Sequence, residues 1–462
     1  MKFQISVLVC STVLLSGCRV YSNYERPERI QTEGLYRDAV TGETLAATDT
    51  TSLGNMPWQQ VFVEPQLQSL ISKALENNAD LRTADLAIEQ VKAGLRVSRL
   101  AYLPSLALGP NGAISSYDGG KATKTYSLPV QASWQIGALG SLRNAKKQAE
   151  MTLQQTKAAR QAAQTSIIAA VANLYYTLQM LDEQLRTSEE TCVLWDKNVI
   201  AMEAMWKVGG LTNSAAVAQA KANLLQLRGN VATIKESIAS AENALCVLLH
   251  EPPHAIERGA FRGSSLPATL SVGVPLQLLS GRPDVRQAEY NLAAAFYATN
   301  EARANFYPSL TISGSAGWTN SAGGYVVNPA KVLASAMASL TMPLFANGQL
   351  TANLKIKKAN QEAACLAFEK QLLTAGQEVS DALSAYQTAN EREELAQQQV
   401  EQLQVAVEST NALFTHGNST SYIETLTAQQ TLLSAQLSLI SNRFDKVQAV
   451  VSLYQALGGG RE

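Results

Sequence analysis

The fold of this chain is decided by residues 141–208, which read SLRNAKKQAEMTLQQTKAARQAAQTSIIAAVANLYYTLQMLDEQLRTSEETCVLWDKNVIAMEAMWKV. This stretch contains neither Gly nor Pro, and its apolar residues recur at alternating steps of four and three. The seam, in which Ser188 is the one polar member, consists of Ile167, Val171, Leu174, Leu178, Leu181, Leu185, Cys192, Trp195, Val199, Met202 and Trp206. A sustained 4-3 repeat predicts a helix that packs against neighbouring helices with a left-handed supercoil. At ~1.5 Å per residue the helix could reach roughly 100 Å, which indicates a tube or stalk rather than a compact domain.

The second half of the chain repeats the pattern of the first half. A shift of 204 positions places Asp80-Leu81-Arg82 on Asp284-Val285-Arg286, and a later shift of 208 places Gly209 on Gly417. We therefore predict an internal duplication with the same order of elements in each repeat. Repeat one (65–252) has a helix (65–100), a β-hairpin (105–137), a long helix (141–208) and a return helix (213–249). After a linker (253–282), repeat two (283–458) has a helix (283–305), a β-hairpin (310–345), a long helix (349–415) and a return helix (421–457).

The hairpin regions predict strands with one apolar and one polar face. Val130, Ala132, Trp134 and Ile136 alternate with Gln131, Ser133 and Gln135, and Ile312, Gly314, Ala316 and Trp318 alternate with polar residues in repeat two. Each chain contributes four strands, fewer than the ~8 that a membrane barrel needs. Since an open sheet edge leaves backbone groups unpaired in lipid, several chains must pool their strands. The pattern alone leaves a dimer and a trimer open.

The N-terminus reads as an export signal over residues 1–17, with a short apolar stretch that ends in Leu15-Ser16-Gly17-Cys18. This ending resembles a bacterial lipobox, after which Cys18 becomes the acylated N-terminus; an ordinary signal peptide is the alternative. Acyl chains on Cys18 would anchor the chain stably in a membrane. Residues 18–64 are then a lipid-anchored, extended segment. No later apolar run is long enough to predict a transmembrane helix.

Composition and motifs argue against several function classes. The net charge of −1 gives no indication of a nucleic-acid partner. Because the chain has no Gly-x-Ser-x-Gly, phosphate loop or Cys-x-x-Cys motif, we predict no enzyme activity and no cofactor. His250 and His254 straddle Pro252-Pro253, so they lose helical spacing and we predict no metal site. The remaining cysteines are expected to be buried structural thiols without a disulfide; they are Cys192, Cys246 and Cys365.

A family resemblance rests on the run Arg282–Glu289, which reads RPDVRQAE. It resembles the signature of lipoprotein outer-membrane efflux channels, the TolC-like family and its OprM/NodT-like branch. Residues 301–310 (EARANFYPSL) and 453–460 (LYQALGGG) support the resemblance. It implies a mainly α fold with a transmembrane β part: a homotrimer with a twelve-stranded β-barrel and an α-barrel of long coiled-coil helices. It also implies an outer-membrane location with a long periplasmic extension, a periplasmic adaptor and an inner-membrane transporter of the resistance-nodulation-division (RND) class.

These observations predict a passive, trimeric duct of a tripartite efflux pump that carries drugs or other toxic small molecules to the exterior. A protein-secretion channel paired with an ATP-driven exporter is one alternative. A non-conducting coiled-coil lipoprotein that acts as a structural tether is another. The alternating strands count against the tether, because a tether has no use for a polar inner face.

The turns between long and return helices are the predicted functional ends. Their Gly residues allow a left-handed helix ending, and the resemblance implies that they form a periplasmic mouth where adaptors dock. The residues are Val208, Gly209, Gly210, Leu211, Thr212, Gly417, Asn418, Ser419 and Thr420. Glu424 is the candidate for an acidic gate, although with Ser421 it also fits a capping box.

The charged run at the start of repeat two is predicted to be structural rather than catalytic. Pro283 suits the first position of a helix, and Asp284 suits the positive end of the helix dipole. Arg282 and Arg286 would add ion pairs that stabilise this corner.

Overall fold

A computed structural model describes residues 21–27, 53–116, 118–136, 140–209, 212–261, 281–322, 325–416 and 422–460. After a 3₁₀ turn (Leu53–Asn55), the helices are α1 (Trp58–Val61), α2 (Pro65–Asn77), α3 (Ala79–Leu100), α4 (Ser141–Lys207), α5 (Ser214–Leu249), α6 (Pro283–Ala304), α7 (Gln349–His416) and α8 (Tyr422–Ala456). The strands are β1 (Ser105–Leu108), β2 (Asn111–Ser115), β3 (Thr123–Ile136), β4 (Ser309–Ala322) and β5 (Tyr325–Thr341).

The prediction of one helix over 65–100 was wrong, because the chain breaks at Asn78. The Asn78 side-chain oxygen accepts hydrogen bonds from the backbone N–H of Asp80 (2.9 Å) and of Leu81 (3.2 Å), which caps the start of α3. Its amide donates to the Leu248 carbonyl at 3.0 Å, near the end of α5. A buried Asn thus starts a new helix and ties it to the return helix.

The long helices lie where the apolar seams place them. Helix α4 ends one residue before the predicted boundary, and α7 continues through Gly376 without interruption. Asn213 caps α5 as its side chain accepts a hydrogen bond from the Ala216 N–H at 2.9 Å. No helix in the described part of the chain is both long and apolar enough to cross a membrane.

The strands form one antiparallel sheet in the order β1–β3–β4–β5, with β2 also paired to β3. In the hairpin predicted over 105–137, the first arm consists of two short strands, because Gly109-Pro110 interrupts it. The second hairpin, predicted over 310–345, begins at Ser309 with β4 and ends at Thr341 with β5. The pairing of β3 with β4 joins the hairpin of repeat one to that of repeat two.

The chain divides into two compact units, and each combines segments of both repeats. The sheet unit contains the described residues within 1–31, 86–158 and 286–370. The helical unit contains those within 32–85, 159–285 and 371–462. In the helical unit a large core is filled by buried aromatic and aliphatic side chains, among them Phe62, Leu67, Ile168, Tyr175, Tyr176, Leu245, Val451 and Tyr454. In the sheet unit the buried side chains include Leu292, Tyr297 and Phe368.

Candidate functional site

The two faces of the sheet differ in polarity across its whole width. The register pairs Trp134 with Ile312 and Ile312 with Ala338, so directly opposite residues share a face. Both predicted alternations therefore lie on the same side of the sheet. The apolar face carries Leu106, Leu108, Leu128, Val130, Ala132, Trp134, Ile136, Leu310, Ile312, Ala316, Trp318, Val332, Ala334, Ala336, Ala338 and Leu340.

The opposite face is mostly polar. It carries Ser105, Ser127, Gln131, Ser133, Gln135, Ser309, Thr311, Ser313, Ser315, Thr319, Ser335, Ser339 and Thr341, with Ala107, Pro129, Leu333 and Met337 as apolar exceptions. On the apolar face, Trp134 keeps 38% of its surface exposed, and Leu106 and Leu340 are more exposed still. A sheet of this kind can contact lipid on one side and water on the other.

Trp134 lies at the end of the sheet that adjoins α3. Its indole Nε1 donates a hydrogen bond to the backbone carbonyl of Tyr102 at 3.0 Å, in the turn between α3 and β1. A Trp with one apolar and one hydrogen-bonding end is typical of a membrane–water boundary.

Residues 21–27 pack along α6, in contacts that sequence reasoning missed. The Arg26 guanidinium donates to both carboxylate oxygens of Glu289 (2.9 and 2.7 Å) and lies over the Phe368 ring. The Tyr24 N–H donates to the Tyr297 hydroxyl at 3.2 Å. We call residues 21–27 the N-terminal strap. Cys18 lies outside the described residues.

The start of α6 is a buried charged corner. Arg282, only 5% exposed, makes a bidentate ion pair with Asp284 (3.0 and 2.6 Å) and reaches Glu378 at 2.6 Å. It also donates to the Ala456 carbonyl at the end of α8. Burial by itself would raise the pKa of Asp284, but the hydrogen bond from Arg282 brings it below its usual value.

Pro283 is the first residue of α6, as predicted from the sequence. Arg286 lies over the Tyr290 ring at 5.9 Å and makes no ion pair within the described residues. The ion pair expected of Arg286 therefore stays a prediction. The corner thus joins the start of α6 to α7 through Glu378 and to the end of α8 through Ala456.

The turn after α4 is partly described. Val208 is 87% exposed, and Gly209 has a φ of +75°, the left-handed conformation expected of it. Thr212 follows, while Gly210, Leu211, Gly417, Asn418, Ser419, Thr420 and Ser421 lie outside the described residues. Glu424 is exposed in the first turn of α8.

Beneath this turn, α4 and α5 pack through a small apolar core. Trp195, Val199 and Met202 contact Val217, Ala220 and Leu224. Glu203 forms an ion pair with Lys221, whose hydrogen bond lowers the pKa of Glu203. The hairpin is therefore held by its own core and does not depend on the turn residues.

A groove of about 360 Å³ lies between α4, α7 and α8. One end is charged, with Glu183, Arg186 and Arg443, and the other is apolar, with Trp195 and Val400. The hydrogen bond from Arg186 lowers the pKa of Glu183. These residues stand far apart in sequence, so no local pattern could identify the groove.

The histidine region offers little to a metal ion. Within the described ranges, no group of three or more His, Cys, Asp or Glu side chains is arranged for metal binding. The Cys246 sulfur lies 3.5 Å from His254 Nδ1, and Glu251 forms an ion pair with Lys73. His250 ends α5 with a φ of +58°. Cys192, Cys246 and Cys365 form no disulfide within the described residues, and Cys192 is only partly buried rather than buried as predicted.

Comparison with known proteins gives consistent results. The model of the family described as outer membrane efflux protein matches residues 70–249 and 274–459. The chain is 28% identical to the cation efflux system protein CusC of Escherichia coli O157:H7, over 98% of this chain and 97% of CusC. Identity is also 28% to the probable outer membrane lipoprotein SilC of Salmonella typhimurium (99% of each chain). It is 28% again to the toluene efflux pump outer membrane protein TtgC of Pseudomonas putida (98% of this chain, 95% of TtgC).

The fold agrees with these sequence matches. A solved structure of CusC, described in connection with folding and transmembrane channel formation, superposes with a TM-score of 0.85 at 28% identity, over 96% of this chain and all of that one. With its long helices, its two-faced sheet and a family match over most of its length, the chain belongs to the outer membrane efflux protein family and is an outer-membrane component of an efflux system.

Proposed function

We propose that the protein is a passive homotrimeric conduit that receives small molecules from a periplasmic adaptor and an RND-type transporter. Membership in the family implies a trimer and pump partners in general terms. The adaptor and the transporter class come from the resemblance of the Arg282–Glu289 run. The conduit performs no chemistry: it supplies a path, and the transporter supplies the energy and selects the cargo.

The observation that carries the proposal is that one face of the sheet is apolar and the other mostly polar across β1, β3, β4 and β5. Within the described residues, β5 and the β1/β2 edge each pair on one side only. Unpaired edges are prohibitive in lipid, so copies of the chain would have to complete each other's sheets. Three copies would give the twelve-stranded barrel that the resemblance implies, with the polar faces lining the path.

The proposed anchor is an acylated Cys18. SilC is named an outer membrane lipoprotein, and the N-terminal strap starts only three residues after Cys18. Because three residues span at most about 11 Å, the strap would hold the acyl chains close to Tyr21. Mass spectrometry of the mature protein tests this. An unmodified Cys18, or cleavage at another position, would refute the anchor without affecting the conduit.

The turns at the ends of the long helices are the proposed adaptor-docking and gating sites. The exposure of Val208 and Glu424 leaves both side chains available to a partner or to the lumen. The packed core beneath the first turn would let it change without loss of the hairpin.

The cargo class remains that of small toxic molecules. CusC is named for cation efflux and TtgC for toluene efflux, and the chain is 28% identical to each. Complementation of a strain that lacks its own channel, with paired tests for metal ions and for dyes or solvents, identifies the cargo.

Single-channel recording in a planar bilayer tests the conduit itself. We expect stable, voltage-independent steps of current from the purified trimer. A trimer that inserts but carries no current would support the structural tether instead. Export of a protein substrate together with an ATP-driven exporter would support the secretion alternative.

A further inference from the structure

The same motif marks both places where a helix of the sheet unit runs into a strand. Arg99 precedes Tyr102-Leu103-Pro104 at the junction of α3 with β1. Arg303 precedes Phe306-Tyr307-Pro308 at the junction of α6 with β4. Both Arg side chains are exposed. The chain therefore twice presents a cation in the last turn of a helix and an aromatic side chain in the connection to the strand.

The turns nearest the sheet are strongly basic. Three Lys or Arg residues lie in 90–104, three in 140–150, one in 299–308 and three in 342–358, against only Glu150 and Glu301. Lys147 pairs with Glu150 at 3.2 Å. By contrast, Arg96, Arg99 and Lys355 are exposed and have no ion pair within the described residues. Most of these basic side chains are therefore exposed on the surface of the protomer.

Large apolar side chains are also exposed in the turns between the helices and the sheet. Leu344 and Phe345, in the turn between β5 and α7, are 92% and 85% exposed, and Tyr102 and Tyr307 are also exposed. The bond from Trp134 to the Tyr102 carbonyl places one of these turns directly beside the apolar face of the sheet. Basic and aromatic residues next to an apolar band are the arrangement that meets lipid headgroups.

The N-terminal strap contacts the basic segment 140–150. The Tyr21 ring packs on Gly140, and the Arg143 guanidinium donates to the Asn23 side-chain oxygen at 3.4 Å. Burial raises the pKa of Tyr21, and Tyr307 and Arg303 lie close enough to act on it in opposite directions. If the strap carries the lipid anchor, these basic residues face the lipid rather than the channel.

We propose that the helix–strand junctions bind the phosphate groups of anionic phospholipids in the periplasmic leaflet, with Arg99 and Arg303 as the principal ligands. The inference rests on the proposed placement of the sheet in the membrane. A guanidinium binds a phosphate through two parallel hydrogen bonds, and the neighbouring apolar side chains contact the acyl chains. Such lipids would fix the depth and tilt of each protomer where the sheet leaves the membrane.

The test uses the full-length trimer reconstituted in vesicles of equal parts phosphatidylcholine and phosphatidylglycerol. Native mass spectrometry measures which lipid remains bound after extraction. We expect wild-type protein to retain phosphatidylglycerol several-fold over phosphatidylcholine, and high salt to reduce this preference. The Arg99→Gln/Arg303→Gln variant should lose most of it. The matched control is Lys197→Gln/Arg228→Gln, which removes two exposed cations of the helical unit and should retain the full preference.

Other outcomes separate the sources of binding. Equal retention of phosphatidylglycerol by the variant and the wild type would overturn the inference. So would inorganic phosphate that displaces the lipid at millimolar concentration, since the site would then bind a free anion. If the double variant fails to form trimers, Lys355→Gln/Lys358→Gln tests the same surface on α7, and unchanged lipid preference there would count against the proposal. Channel current, recorded on the same vesicles, shows separately whether the proposed function stands.

Discussion

Gly317 lies directly opposite Pro129 in the pairing of β3 with β4, and its missing side chain allows the two strands to meet there. A Cβ on Gly317 would lie well inside van der Waals contact with the Leu128 carbonyl oxygen and the Pro129 Cα, both of which are backbone atoms. Pro129 cannot donate a ladder hydrogen bond, and Pro is unusual in the interior of a sheet. The pair thus decides how the hairpins of the two repeats join.

Gly317→Ala should weaken this strand pairing, because backbone atoms cannot move aside as a flexible side chain can. We expect a cost of at least ~1–3 kcal/mol, the usual range for overpacking. Thermal dissociation of the trimer, followed by gel mobility, measures it. Gly112→Ala is the control, since a Cβ there meets only the Thr125 carbonyl oxygen at an ordinary 3.8 Å. A similar drop in both variants would show that the Pro129 contact is not the cause.

The depth of an apolar-face residue should determine the cost of placing a charge there. Val130, with Ala316 opposite, lies well inside the strands, so Val130→Arg should cost ~2–4 kcal/mol near the bilayer midplane. Trp134 lies at the helix end of the sheet, so Trp134→Arg should cost only about 0–1 kcal/mol from lipid exposure, besides its lost hydrogen bond. Equilibrium unfolding from vesicles gives both values. Equal costs would contradict this assignment of depth.

Cysteine scanning checks the same assignment of faces independently of stability. A membrane-impermeant thiol reagent should label Gln131, Ser133 and Gln135 and spare Val130, Ala132 and Trp134. The native thiols at Cys192, Cys246 and Cys365 are first replaced by Ser, so that labelling reports only the introduced residue. Uniform labelling along β3 would reject the two-faced sheet.

The periodicity of apolar residues predicted most of the helices and strands correctly, because these depend on neighbouring residues. It could not predict contacts between residues that are far apart in the sequence. The seam of α4 and the alternation in β3 each depend on one stretch, and both predictions agree with the structure except at Trp206, which is 47% exposed. Asn78 is a residue type that often caps a helix. The apolar pattern nevertheless continues from α2 into α3, so the sequence did not predict the break between these helices. The Arg282–Glu378 ion pair joins residues almost a hundred positions apart, and no single window of sequence contains both. The contacts of the N-terminal strap were missed for the same reason, and the sequence predicted only an extended segment there.

Removing Arg282 should destabilise the helical unit strongly. Arg282→Gln removes the charge-assisted hydrogen bonds that the buried guanidinium makes to Asp284 and Glu378, whose side chains are 31% and 47% exposed, at a cost of ~1.5–3 kcal/mol. Arg282→Lys should recover only part of this, because an ammonium cannot make the bidentate contact. Because the pKa of Asp284 is depressed in the folded state, its contribution is present above its unfolded pKa and is lost as pH falls through the folded one. Acid unfolding of wild type and Arg282→Gln should therefore converge, and parallel curves would argue against this pair.

Tyr175 should make the stability of the protein depend on pH in the opposite direction, with stability lost as the pH rises into the alkaline range. Its hydroxyl donates to Glu64 at 2.8 Å and accepts from the Gly259 N–H at 3.2 Å, and burial raises its pKa to about 12. A raised pKa means that the stabilisation is complete below the unfolded pKa of about 10 and is lost as pH rises through the folded value. Tyr175→Phe should cost ~1–3 kcal/mol at neutral pH and flatten the melting curve between pH 10 and about 12. An unchanged alkaline profile in Tyr175→Phe would assign the loss to other groups.

The turns should tolerate bulk in assembly but not in transport. Gly209 has positive φ and open space around its Cβ position, so Gly209→Trp adds only a backbone strain of roughly 1–2 kcal/mol. The apolar core beneath, with Trp195 and Met202, should hold the hairpin, and trimers should still insert. Gly229→Trp is the matched control: the same substitution at an exposed helical position with equally open space.

The readout combines trimer yield, crosslinking to the adaptor and dye efflux in a strain that lacks its own channel. Gly209→Trp, and Gly417→Trp in the equivalent turn, should form trimers but lose crosslinking and efflux, whereas Gly229→Trp should keep all three. Glu424→Gln should instead change conductance or ion selectivity, because it removes a charge without adding bulk. Full transport by both turn variants would show that the turns only connect helices, and the docking and gating functions would then belong to another surface, for which the groove lined by Arg186 and Arg443 is the first to examine.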